Sequence, residues 1–329
     1  MTTQTTKTAP AASDPVKIRL GVSTCLLGEN VRFDGGHKKD SYLTGTLEQF
    51  VEWVPVCPEV EIGLGTPRES LRLIGDPEAP RLITTKTGAD HTAAMRKFSH
   101  AKIEQLQRLK LNGYILKKDS PSCGMERVRV YSEKGMPARH GIGLFARALM
   151  EQMPTLPIEE EGRLNDPKLR ENFIVRVFCH YRWQRLREKP FRLTDLIAFH
   201  TQHKFLLLAH HEKNYRDLGK LVAAGKAQAP KELLARYEEL YFAALRHPAP
   251  RRKHANVLQH LAGYFKNQLD EKDKQELHAT ISDYHRGLLP LVVPLTLIKH
   301  YINKFDVHYL QDQVYLNPHP KELMLLNHV

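Results

Sequence analysis

Three cysteines stand at places where chemistry gathers. Cys25 follows LGVST, Cys57 follows WVPV and Cys123 follows YILKKDSPS, so each comes after a segment that reads as a buried β-strand. In an open parallel sheet, ligands collect outside the carboxyl ends of the strands. Cysteines far apart in sequence can therefore meet at one edge. Their neighbours suit tight turns: Gly28 after Cys25, Pro58 after Cys57, and Pro121 with Gly124 around Cys123. The plain alternative is three separate buried thiols, since free cysteine is among the most buried residue types. That alternative suits mid-strand or mid-helix positions better than strand-end loops, and it is the expectation for Cys179, which lies mid-helix in VRVFCHYRW. Three thiolates admit two metals. Zinc with three protein ligands and a water is a catalytic arrangement. An iron–sulfur cluster usually takes four cysteines, so with three, one iron has no protein ligand and is open to substrate. Spacing leaves both open, because neither a CxxC knuckle nor a ferredoxin-type run is present.

The elements that position these residues alternate. Val16 to Ser23, Trp53 to Val56 and Tyr114 to Leu116 read as strands. Asp90 can cap a helix in which Met95, Phe98, Ile103, Leu106 and Leu109 recur at helical spacing, with Gly113 ending it. His140 to Met150 reads as a last helix. The pattern predicts an α/β N-terminal domain with a mostly parallel sheet flanked by helices. The rest predicts an all-α C-terminal domain: Leu169 to Arg187, Asp195 to His211 capped by Thr194, Lys231 to Arg246 after Pro230, Arg251 to Leu269, Glu271 to Leu289, and Thr296 to Lys304. Met153 to Pro167, with three prolines and the acidic run Glu159, Glu160, Glu161, reads as the linker. The expected division is a disordered tail over 1–15, a cysteine-bearing domain over 16–160 and a helical domain over 165–329.

The chain of 329 residues carries a net charge of +12, which directs attention to a polyanionic partner, nucleic acid first and an acidic membrane surface second. The excess is unevenly placed: +3 in residues 1–163 and +9 in 164–329. Histidine splits four against fourteen across the same cut. Four cysteines in this length exclude a disulfide-dense secreted scaffold. The N-terminal residues lack the apolar core of a signal peptide. The longest apolar stretch, Leu288 to Ile298, is broken by Pro290 and Pro294 and is too short to span a bilayer. A cytoplasmic location without a membrane partner is expected, where cysteines stay reduced.

The segments STCLLG with VRFDGGHK, then VCPEVEIGLGTPRE, then KKDSPSCG, in that order, resemble the thiouracil desulfidase family over about residues 16–160. The helical half resembles a domain of formerly unknown function often fused to it. The combination is similar to bacterial desulfidases that remove sulfur from 4-thiouridine in tRNA. The resemblance implies a [4Fe–4S] cluster held by Cys25, Cys57 and Cys123. It also implies a catalytic Glu and Ser, which fall on Glu59 of the CPE triplet and Ser120 of SPSC. The implied reaction is hydrolytic and without net redox change: a thiocarbonyl becomes a carbonyl and sulfur leaves as sulfide. A thiophilic iron suits such a substrate. Glu59 is two residues from a cluster ligand, placed for general-base work, and Ser120 can donate a proton or hold the ring. Taken without the cysteines, a Glu after proline is an ordinary helix-start charge and a Ser before proline an ordinary turn residue. Arg68, Lys117 and Lys118 read as surface charges flanking the site. Asp34, Gly35, Gly36 and His37 read as a turn beside it.

Two stretches of the helical half read as an RNA grip. Arg170 to Arg192 interleaves Arg176, Arg182, Arg185, Arg187 and Lys189 with Phe178, Tyr181 and Trp183; His247 to Lys266 holds Arg251, Arg252, Lys253, His254, His260, Tyr264 and Lys266. Basic side chains contact phosphate and aromatics stack on unpaired bases, although aromatics at helical spacing are more often core. His200 and His203, with His210 and His211 beyond them, match no familiar metal spacing with a carboxylate partner, so packing roles are expected. The partners expected are tRNA and, as an alternative, small thiolated pyrimidines. The competing function classes are a desulfidase of free thiouracil or thionucleosides and a non-catalytic zinc-stabilised RNA-binding protein.

Overall fold

A computed structural model describes residues 18–132 and 135–328. The tail expected over 1–15 and the first residues of the strand expected from Val16 lie outside them. In chain order the elements are β1 (Ile18–Ser23), β2 (Val51–Val56), α1 (Pro58–Glu61), β3 (Leu71–Ile74), β4 (Arg81–Thr84), α2 (Thr92–Arg108), β5 (Gly113–Leu116), β6 (Val128–Tyr131), β7 (Pro137–Gly141), α3 (Leu144–Gln152), β8 (Ile158–Glu160), α4 (Pro167–Arg187), α5 (Leu193–His210), α6 (Glu212–Ala223), α7 (Pro230–Leu245), α8 (Arg251–Ala262), α9 (Glu271–Arg286), α10 (Val292–Lys304) and α11 (His308–Gln311). The architecture is an α/β N-terminal domain with a parallel sheet, followed by helices to the end, as the alternation of patterns implied.

The main sheet has the order β2-β1-β5-β8, and each neighbouring pair is parallel. A second sheet, β4-β3-β6-β7, is mixed and was not anticipated. Its strands are four or five residues long and threaded with arginine, so none forms a continuous apolar run. On one face of the main sheet, α2 and α3 bring Met95, Ile103, Leu106, Phe145 and Leu149 onto Tyr114, Leu116 and Ile158. On the other face lies α4, whose Phe173, Ile174, Val177 and Phe178 cover Ile18, Leu20, Val22 and Ile115. Asp166 caps α4 by accepting from the N–H groups of Lys168 and Leu169, and Pro167 opens it.

Several expectations are corrected by packing. Gly113 does not end a helix. Lys110, at φ 55°, takes the left-handed position after α2, and Gly113 begins β5. A Cβ at Gly113 would lie 2.8 Å from Val177 of α4, so the glycine lets the helix approach the sheet. His140 falls in β7, and the helix expected from there begins at Leu144. Asp90 still serves α2, accepting from the N–H of Thr92 at 2.8 Å, but His91 is the cap position. The stretch read as a linker contains β8, the fourth strand of the main sheet, and its acidic run is buried. In the helical half, α6 adds a helix, with His211 accepting at its N-terminus from the N–H of Asn214. The helix from Arg251 ends at Ala262 rather than Leu269. Among the described residues, no helix is long and apolar enough to cross a membrane.

One helix thus serves two cores. The face of α4 opposite the sheet sends Val175, Cys179 and Trp183 into the core of the helical half, beside Leu207, Tyr237 and Tyr241. A helix that is apolar all round belongs in an interior, and Cys179 is the core residue its position implied. A chain stopped after Gly162 would bare Ile18, Leu20, Val22 and Ile115. Each such side chain contributes about 1.5–3 kcal/mol when buried, together comparable to the whole stability of a domain. The fragment is expected to aggregate and bind hydrophobic dye. Cooperative melting at the temperature of the full chain would refute that expectation.

Candidate functional site

The three strands expected to deliver cysteines are neighbours, and they deliver them to one end. β1 runs into a 3-10 turn, Thr24–Leu27, that carries Cys25. Gly28 closes the turn at φ 98°, a conformation glycine adopts freely. The following loop folds back, so that the N–H of Lys38 donates to the carbonyl of Cys25 at 2.9 Å. β2 ends at Cys57, the N-cap residue of the single turn α1, whose first helical residue is Pro58. β5 leads to a tight turn in which Ser120 Oγ accepts from the N–H groups of Ser122 (3.2 Å) and Cys123 (3.1 Å). Two acceptor interactions fix that hydroxyl and leave its proton to be donated elsewhere. A cavity of about 450 Å³ is lined by Cys25, Cys57 and Cys123 together with Glu59 and Ser120. All five residues singled out from the sequence therefore face one space.

Glu59 is held from two sides. Its Oε2 accepts from Nε (3.0 Å) and Nη2 (2.6 Å) of Arg68, and its Oε1 accepts from Ser122 Oγ at 2.9 Å. Arg68 is not a surface charge. Its side chain is 6% exposed, and its Nη1 donates to the carbonyls of Val31 and Gly65, both at 2.9 Å. A two-pronged guanidinium–carboxylate pair in this degree of burial fixes geometry as well as charge. The clamp by Arg68 and the hydroxyl of Ser122 were not foreseen. Arg68 lies in the GTPRE segment and Ser122 in SPSC, but pairing across 63 residues leaves no periodic signal.

Lys117 and the acidic run complete the wall. Lys117 Nζ pairs with Glu161 Oε1, and Glu161 Oε2 accepts from the N–H of Lys118 at 2.8 Å. Glu159 accepts from Arg163 Nε at 2.6 Å, with Arg176 of α4 at 3.9 Å. Glu160 accepts from the N–H of Met125 at 2.7 Å, and burial raises its carboxyl pKa. These carboxylates tie β8 to the loops after β5 and to α4.

Burial pushes the Cys25 thiol up to about 11, against the opposing charge of Lys117 and with the nearby Cys57. Burial likewise raises Cys57, and it raises Cys123 far beyond the usual thiol range. As free thiols all three stay protonated at neutral pH, so taking up a metal means releasing protons. Lys117 and Arg32 near Cys25, and Arg68 near Cys57, oppose the charge that thiolates would bring. Among the described residues, no three His, Cys, Asp or Glu side chains gather around a point as a single metal ion requires. The thiols share a cavity without closing on one centre, a disposition that fits a polynuclear group better than one zinc ion.

Residues 20–161 match the 2-thiouracil desulfurase family, and residues 204–320 match a family described as a protein of unknown function, DUF1722. An uncharacterized protein of Escherichia coli strain K12, YbgA, is 33% identical over 163 residues, which are 49% of this chain and 96% of that protein. An uncharacterized protein of Bacillus subtilis strain 168, YbbK, is 31% identical over 108 residues, 31% of this chain and 71% of that protein. The chain belongs to the 2-thiouracil desulfurase family. In this desulfurase, the family match spans β1 to β8 and every residue of the cavity named above, and the DUF1722 match covers the helices after α4. A solved structure titled [4Fe–4S]-dependent thiouracil desulfidase TudS is similar at 28% identity, covering 46% of this chain and 95% of that one, with a TM-score of 0.37.

The basic stretches of the helical half divide differently from their reading in sequence. In the first, Trp183 is buried and stacks on Tyr237, Phe178 packs on the sheet, and Arg176 turns inward to Glu159. Arg182 donates to the carbonyl of Pro318. The aromatics there are core, and Arg185, Arg187 and Lys189 alone of those basic residues stay exposed. In the second, His254 is buried against Tyr315 and Lys253 donates to the carbonyl of His210, whereas Arg252, His260, Tyr264 and Lys266 face solvent. Tyr264 stacks on Tyr309 with ring centroids 5.8 Å apart, above Lys204. A groove of about 630 Å³ runs there, with Lys204, Arg216, Arg252 and His260 in its walls. His203 and His210 pack inside the core.

Proposed function

We propose that this desulfurase is a [4Fe–4S]-dependent, non-redox desulfidase that converts 4-thiouridine in tRNA to uridine and releases sulfide. The observation that carries the reading is the meeting of Cys25, Cys57 and Cys123 with Glu59 and Ser120 in one cavity at the ends of adjacent parallel strands. A cluster bound by three thiolates supplies a thiophilic Lewis acid for a thiocarbonyl. The residues supply the rest. Glu59, immobilised through Oε2 by Arg68, takes a proton from the attacking water. Ser120, its oxygen held by two amides, directs its O–H at the ring. Carbon 4 gains the oxygen of one water and loses sulfur as hydrogen sulfide, and no electrons are exchanged.

The groove around Tyr264 and Tyr309 supports RNA as the carrier of the thiobase. Cations for phosphate and a stacked aromatic pair for bases are what single-stranded or splayed RNA engages. A thiolated base within folded tRNA has to leave its stack to enter the cavity. A cytoplasmic setting suits substrate and thiols alike.

The test is anaerobic incubation of reconstituted protein with thiouridine-bearing tRNA, read by nucleoside mass spectrometry together with iron and acid-labile sulfide content. Loss of 4-thiouridine is expected, and Cys57→Ala should lose the cluster. Intact 4-thiouridine refutes the reading. Activity on free thiouracil alone transfers it to small thiolated pyrimidines, and zinc without iron or sulfide points to a zinc-stabilised RNA-binding protein.

A further inference from the structure

One buried group beneath the cavity is left without a partner. Tyr114 is fully buried on β5, and its hydroxyl makes no hydrogen bond. A buried hydroxyl left unpaired costs on the order of 1–3 kcal/mol, which a phenylalanine at the same place would avoid. The space for the ring is purpose-made. It lies across Gly21 of the neighbouring strand β1, where a Cβ would stand 2.1 Å from Tyr114 Cδ2 and 2.4 Å from Cε2. Phe145 of α3 braces it, with ring centroids 5.9 Å apart. The ring therefore crosses under β1, the strand that delivers Cys25, toward β2, which delivers Cys57. Burial raises the phenol's pKa far above its ordinary value, and the charges acting on it next are those of Cys123, Glu61, Cys57 and Cys25. All three cysteines of the site thus lie within electrostatic reach of this hydroxyl. Glu61 does not satisfy it, since its Oε1 accepts from the N–H of Cys57 and its Oε2 pairs with Lys102.

We infer that Tyr114 is a positioning residue for the cofactor, its buried O–H donating to a sulfur of the cluster held by Cys25, Cys57 and Cys123. The inference rests on the cluster reading above. The orphaned hydroxyl is a donor lacking an acceptor, and cluster sulfides and thiolate sulfurs are acceptors. A hydrogen bond to sulfur stabilises the more negative, reduced form of a cluster, so it raises the reduction potential and shields the sulfur from loss. No proton is transferred and no bond is broken; the phenol stays protonated throughout.

Tyr114→Phe keeps the ring and its packing and removes the donor. In the reconstituted protein, the cluster's reduction potential is expected to shift to more negative values, and the cluster absorption should decay several-fold faster in air. In protein freed of iron, the same change is expected to hold or raise the melting temperature, because an unpaired hydroxyl is removed. That opposition of sign is the signature, since a hydroxyl with a merely structural role would move both forms together. An unchanged potential and an unchanged decay in a protein that carries the cluster overturn the inference. Failure of the parent protein to take up iron and sulfide overturns instead the cluster reading on which it rests.

Discussion

Glu59→Gln is expected to lower turnover about a thousand-fold while leaving iron and sulfide content intact, within the 10²–10⁴ range usual for losing a positioned acid–base group. Glutamine preserves the size of the side chain and a carbonyl oxygen for Ser122 or Arg68, but it cannot accept a proton. Glu59 is no cysteine, and its oxygens are already engaged by Arg68 and Ser122, so the thiols keep their places without its charge. The change has a structural cost that must be separated from the chemical one. Arg68 is almost wholly buried, and a buried guanidinium robbed of its carboxylate destabilises by about 3–5 kcal/mol when no acceptor remains. Pairing Glu59→Gln with Arg68→Met removes both charges. The double variant is expected to recover melting temperature relative to the single one and to recover no activity. Return of activity in the double variant would make Glu59 a structural residue, and loss of iron in the single variant would place it among the groups that hold the cofactor.

Acid should loosen the helical half well before it affects ordinary carboxylate pairs. His180, His203, His210 and His254 are buried, and burial lowers their pKa values from the usual 6.5 to about 4, about 3, about 4 and about 3. They fold neutral. Between pH 6.5 and those lower values the unfolded chain binds protons that the folded chain refuses, so stability rises with pH across that window. The full contribution is present above pH 6.5 and is withdrawn as pH falls toward 4. At pH 4.5 each of the four removes about 2 kcal/mol, and together they approach the roughly 5–15 kcal/mol that holds a typical domain. The helices are therefore expected to melt cooperatively at a temperature that drops steeply between pH 6.5 and 4.5, with uptake of several protons on unfolding. A melting temperature that stays level across that interval, followed by circular dichroism, would contradict the assignment of these histidines as neutral core residues.

What the sequence displayed and what it concealed divide along physical lines. Strands β1, β2 and β5 were visible because each is a short apolar run, and a parallel sheet buries both faces. The convergence of the three cysteines followed from strand ends alone. β8 was hidden because its residues are Ile158, Glu159 and Glu160, and the charges that mark a linker are here neutralised by Arg163, Arg176, Lys117 and backbone N–H groups brought from elsewhere. The strands of the second sheet were hidden by their brevity. Arg68 and Trp183 show the same limit from opposite sides. An arginine in a loop looks like surface until a carboxylate nine residues away folds onto it, and a tryptophan among arginines looks like a base-stacking platform until Tyr237 covers it. Local pattern reports periodicity; it does not report which distant group neutralises a charge or covers a ring.

The double duty of α4 has a consequence for how such a chain can change. At 3.6 residues per turn, one residue inserted in mid-helix rotates everything beyond it by about 100°. Past an insertion near Arg176, Val177 and Phe178 would swing off the sheet while Cys179 and Trp183 swung out of the helical core, so one event would damage both halves. The helix keeps two interiors in phase. Length variation between the halves is thereby confined to the few residues before Pro167 and after Arg187, and a recombination that exchanged one half for another would have to bring a matching α4 with it.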